Sequence, residues 1–209
     1  MSPLTTHDFG DGLGPVLAHQ HGNGEGWVAD TAEVAETAHI GPDAGVSGEA
    51  EITGNVIVSG HGWVFGESVV MDNARILDSA RIGGEAEVSG NTWISDNARI
   101  FGEAKVSENA VVSDNAMVYG DALVSGRSVV SGNSEVSGSA QVSGHVRLFG
   151  NAVVFGDAKV FGDARIFDAE VSGNAEVSGR AEVSTGARVS GNTVVSGDTV
   201  LTGTLTGLI

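Results

Sequence analysis

From Val28 to Arg165 an aliphatic residue opens every sixth position, giving 23 hexads without a break. A five-residue unit, Ile166 to Glu170, follows, and six more hexads run from Val171 to Thr206, so that Val, Ile or Leu opens all 30 units. The fifth place is usually Ala, with Ser, Thr, Val, Gly or Leu as exceptions. A fixed period this short is the signature of a parallel β-solenoid. A strand of about three residues alternates its side chains, so the first place points inward and its two neighbours point out. The fifth place sits at a corner, where only a small side chain fits. Places three and four make the turn and need a residue that tolerates positive φ. Gly supplies it at most corners. At Asp72-Asn73, Asp96-Asn97, Glu108-Asn109 and Asp114-Asn115, Asn is expected to do so.

Residues 1–26 fall outside the repeat and read as an N-terminal cap, with one short strand at Val16-Leu17-Ala18. A solenoid needs such a cap, because its first coil otherwise presents unpaired backbone and apolar interior to water. Residues 27–209 form the solenoid, with a hydrophobic C-terminal end in which Leu205 replaces the small corner residue. The chain has no cysteine, so it offers neither a disulfide framework nor thiolate chemistry. Its N-terminus lacks the features of a signal peptide and no apolar run reaches a membrane span, which points to a cytoplasmic protein. The net charge is −17, and residues 1–74 contain eleven acidic residues with no Lys or Arg. Such a chain has no basic footprint for a phosphate backbone, which argues against direct nucleic-acid binding.

The hexad pattern from Val28 to Thr206, aliphatic, often Gly, two variable residues, small, variable, resembles the hexapeptide-repeat superfamily. That resemblance implies an all-β left-handed parallel β-helix, a triangular solenoid with three hexads per coil. Thirty units would then make about ten coils, roughly 48 Å tall. The stretch His21 to Ala32 also resembles uncharacterised, acyltransferase-like hexapeptide proteins of bacteria and phages, which adds a virion association to the expected locations. Superfamily members commonly assemble as trimers, and many are acyltransferases that use acyl-CoA and a His as general base.

Folded by three, the outward residues sort into columns. Apolar columns carry Trp63, Phe65, Phe101, Tyr119 and Phe155 on one face and Phe149 and Phe167 on another. Exposed apolar columns of this size mark an interface, so a homo-oligomer is expected. Phe149, Phe155, Phe161 and Phe167 form a belt that reaches the five-residue unit. Two corners carry Asn columns, Asn55 to Asn109 and Asn97 to Asn151, positioned to form side-chain amide ladders. The third corner carries Glu49, Glu67, Glu85, Glu103 and Asp121. This edge is a weak Ca²⁺ candidate or a surface for a basic protein partner. His19 and His21 alternate on one strand but fall short of the three or four ligands zinc needs.

If the chain were an enzyme, His39 and His61 would be the candidate bases, with His145 at a similar corner. Yet the uninterrupted units leave no room for an ejected loop, and no Arg or Lys lies within residues 1–74 to grip the phosphate of an acyl carrier. The leading expectation is therefore a non-catalytic, acidic, self-associating scaffold or binding module, with no cofactor. Hexapeptide-type acyl transfer is the alternative. Ranks of Ser such as Ser89, Ser107, Ser125 and Ser143 make ice or surface binding a minor third.

Overall fold

Two-residue strands, each holding one inward aliphatic and one outward neighbour, repeat along the whole rod. The structure, a computed structural model, describes residues 5–207. Among those residues the strands form three sheets of thirteen, ten and ten members, and there are no helices. The first sheet begins with β1 (Thr6–His7), β2 (Val16–Gln20) and β3 (Trp27–Ala29) and ends at Thr204–Thr206. The second runs from Glu33–Val34 to Val194–Val195, and the third from His39–Ile40 to Val200–Leu201. From β3 onward every pairing is parallel, one full coil apart, as Arg75 with Trp93 and Ile76 with Ile94. This is the parallel β-solenoid expected from the hexads, with the three sides and about ten coils that the resemblance implies, and it is consistent with left-handed winding.

The interior is built from Val, Ile, Leu and Ala, with Ser or Thr at a few fifth places. First-place aliphatics such as Ile40, Ile76, Leu148 and Ile166 are wholly buried, and the fifth-place alanines pack beside them. Burying each of the larger side chains stabilises the rod by about 1.5–3 kcal/mol. Where Ser takes the fifth place it is buried without strain. The hydroxyls of Ser68, Ser128 and Ser134 each donate to the carbonyl three residues earlier, at 2.7–2.8 Å. Thr92 is the exception, with a buried hydroxyl that has no partner.

The corners correct the expectation about Asn. From Gly48 to Gly197 positive φ falls on the third place, with Gly186 the one fourth-place addition, so Asp72, Asp78, Asp96, Glu108 and Asp114 adopt it, not the residue that follows. The Asp side chains explain why. Asp72 Oδ2 accepts the N–H of Gly90 at 2.9 Å, and Asp114 Oδ2 accepts that of Gly132 at the same distance. Each carboxylate thus caps a turn N–H on the next coil. The Asn at place four is left free for its ladder, and Asn97, Asn115, Asn133 and Asn151 bond amide to amide at 3.1–3.2 Å.

That ladder ends at Asp168, inside the five-residue unit. Asp168 Oδ1 accepts both the backbone N–H and the side-chain amide of Asn151, at 2.7 and 2.9 Å. The missing residue is the fourth of the unit, and the Asp168 carboxylate takes the place of the carbonyl that Asn151 would otherwise meet. Stacking is therefore undisturbed above and below. Lys159 pairs with Glu176 and Phe149 with Phe167 in unbroken parallel register.

Both ends differ from the sequence reading. The N-terminal segment forms two strands, β1 and a five-residue β2, and β2 runs antiparallel to β3. At the other end Leu205 pairs with Val189, and Thr204 with Arg188. Leu205 is therefore a strand residue, and the unit begun by Leu201 is shortened to bring it there.

Candidate functional site

With the interior complete, chemistry can reside only on the outward places and corners. On the first face the aromatic side chains form a nearly continuous row. His7 stacks on Trp27 at 4.5 Å, and Phe9 meets His7 edge-on at 4.8 Å. Gly45 leaves the space Phe9 fills, since a Cβ there would lie 3.2 Å from its ring. Trp63 stacks on Phe65 at 4.4 Å and donates its indole N–H to Ser47 Oγ at 2.9 Å. Phe65 lies over Gly83 and reaches Phe101 edge-on at 6.0 Å. Mutual stacking leaves Trp63, Phe65 and Phe101 half-buried, whereas Tyr119 and Phe155 stand exposed. The part played by His7 and Phe9 was missed from sequence. Its signal was Gly45, an outward place without a side chain between Trp27 and Trp63.

One coil carries an exposed Phe on each face: Phe149 on the third, Phe155 on the first and Phe161 on the second, at 37–40% exposure. Phe167 extends the belt by stacking on Phe149 at 4.8 Å.

The polar candidates are scattered. His39 lies on the third face with Nδ1 3.2 Å from Asn23 Oδ1. His61 is at a corner, where it lines a cleft of about 460 Å³ with His7, Phe9, Asp43, Trp63 and Arg81. The imidazoles that face a carboxylate are His19, 2.9 Å from Asp30, and His145, 3.5 Å from Asp163. His21 is buried, its Nδ1 beside the Asn23 carbonyl at 3.2 Å. Glu49, Glu67, Glu85, Glu103 and Asp121 line one exposed corner, each N–H fixed to the glycine carbonyl of the next coil. Among the described residues no group of three or more His, Cys, Asp or Glu is gathered to hold a metal ion. Nor does any helix have the length and apolarity to cross a membrane.

Two titrating groups are shifted. The Tyr119 hydroxyl donates to Glu135 on the next coil, and this bond holds its pKa above the ordinary 10.0, although a bond with Ser137 pulls the other way. The Lys105 ammonium is raised by its 2.7 Å hydrogen bond to Glu87 and by that carboxylate's charge.

Repeat, sheet topology and core together define a parallel β-solenoid built on a six-residue repeat. The family model described as YdcK beta solenoid repeat matches residues 110–126. Among solved structures, the chain resembles LpxA, a UDP-N-acetylglucosamine acyltransferase from Bacteroides fragilis 9343. The identity is 18%, over 75% of this chain and 67% of that one, with a TM-score of 0.37. No curated protein matches the chain.

Proposed function

We propose that this chain is a non-catalytic, acidic β-solenoid that acts as a rigid scaffold or binding module and associates with copies of itself. The observation that carries the reading is the phenylalanine belt. The Val, Ile, Leu and Ala interior is complete without it, yet Phe149, Phe155 and Phe161 present rings to solvent on all three faces. Apolar surface held outside a finished core is explained by what it meets outside the molecule. Covering one such ring on association contributes up to about 1.5–3 kcal/mol. Self-association into a trimer is the form the superfamily resemblance favours, and no cofactor is required for the role.

The belt is tested by placing charge on it. The pair Phe155→Glu and Phe161→Glu should shift the sedimenting species toward the monomer while leaving the β-sheet circular dichroism unchanged. A variant that sediments like the parent at equal concentration would remove the belt as a contact.

The cleft beside His61 favours a second reading, hexapeptide-type acyl transfer. It is carried less far, because among the described residues neither His39 nor His61 has a carboxylate within ion-pair distance to orient it.

A further inference from the structure

Arg81 and Arg99 are direct register partners on neighbouring strands of the first face, and both are exposed. Like charges placed directly opposite destabilise a sheet. The chain has 27 carboxylates for 10 basic residues, so an unpaired cation calls for a reason. Lys105, Arg165, Arg180 and Arg188 each meet a carboxylate of another coil. Among the described residues Arg81 and Arg99 meet none, nor do Arg75, Arg127, Arg147 and Lys159. What sets Arg81 and Arg99 apart is that they are stacked on each other with neither paired, Arg81 lying 5.7 Å over the Trp63 ring.

The opposite imbalance stands at the far edge of the same face. Glu67, Glu85 and Glu103 occupy successive coils at an exposed corner, their backbones fixed by bonds to Gly84, Gly102 and Gly120. Their carboxylates form no ion pair among the described residues. Glu85 stands four residues after Arg81, across the strand and turn of the hexad that Ile82 opens, and Glu103 bears the same relation to Arg99 one coil further on. The two columns therefore run level with each other and share one coil spacing. Over these coils the face thus has a positive leading edge, where Arg81 and Arg99 continue the column of Trp63, and a negative trailing edge, with the half-buried Phe65 and Phe101 between them.

We propose that the first face of one copy docks, with the rods parallel, on the acidic corner of a second copy, Arg81 and Arg99 taking the carboxylates of Glu67, Glu85 and Glu103. The proposal rests on the self-association reading and names its contact. Because the two charges sit on opposite edges, each copy offers one edge to each of two neighbours, a heterologous contact. Such contacts close into a ring only without axial shift, and this arrangement brings the level columns together. Pairing across the interface relieves both like-charge columns at once and fixes partner orientation.

Charge exchange tests this directly. The double variants Arg81→Glu with Arg99→Glu, and Glu85→Arg with Glu103→Arg, should each associate on the order of tenfold or more weakly than the parent. An equimolar mixture of the two should recover association, as a species containing both. Should either variant fold poorly, the Gln versions of the same positions give the loss arm with less perturbation. If the parent associates and the variants match it, or the mixture gains nothing, this contact is overturned while self-association stands. A parent that stays monomeric overturns both. Binding of Ca²⁺ or a basic peptide by a monomeric parent, lost in Glu85→Arg with Glu103→Arg, would assign the corner to another partner and likewise overturn the proposal.

Discussion

Asp114 holds φ at 59° and accepts the Gly132 N–H from the coil above. Its side chain thus relieves a backbone conformation that costs other L-residues about 1–2 kcal/mol and satisfies a donor that the parallel ladder leaves over. Substitutions should separate the two effects. Asp114→Ala loses both and should cost about 2 kcal/mol, whereas Asp114→Gly keeps the conformation and should cost about 1 kcal/mol or less. Chemical denaturation that ranked Gly as the worse of the two would contradict this account. The position also shows where sequence reading stopped. Asp-Asn pairs marked the corners correctly, and general turn preferences made Asn the left-handed residue. What selected Asp was an acceptor for the next coil's N–H, a partner 18 residues away that local turn chemistry does not contain.

Between elements, the unit of stability is the cross-coil pair. Tyr119 and Glu135 form one such pair, and because the chain has a single Tyr its titration can be read without overlap. The hydrogen bond favours the protonated phenol, so the folded pKa lies above 10.0. Its contribution is fully present below the unfolded pKa and is lost as the pH rises through the folded one. The tyrosinate absorbance should therefore develop with a midpoint above 10.0, and Glu135→Gln should lower that midpoint. A parent midpoint at or below the free-tyrosine value would mean the bond is not formed in solution. At this scale the strands were legible from the hexad count, and the three-fold sorting and both Asn columns from the three hexads per coil that the superfamily resemblance implies. The pairing of β2 with β3 was not, since an antiparallel strand outside the repeat leaves no periodic trace. Nor was the place of Leu205, which requires a shortened unit at Leu201. The five-residue unit was visible as a deletion. Its repair by Asp168 was not, because that depends on a carboxylate reaching the position of an absent carbonyl.

Across the whole molecule, the repeat determines a rod whose interior needs only small and branched aliphatic side chains. Every aromatic ring and all the uncompensated charge lie outside it. That division made the outward columns legible as candidate contacts, although how far stacking would cover Trp27 and Phe65 depended on His7 and Gly83, which the column count passes over. It also makes association the central claim, since a monomer would leave the belt and the two charged edges unanswered. Sedimentation equilibrium of the parent chain over a range of concentrations tests this most directly. The account predicts a mass that is a whole multiple of the 21.1 kDa chain, with the trimer the favoured species. A mass of 21.1 kDa at every concentration would contradict it.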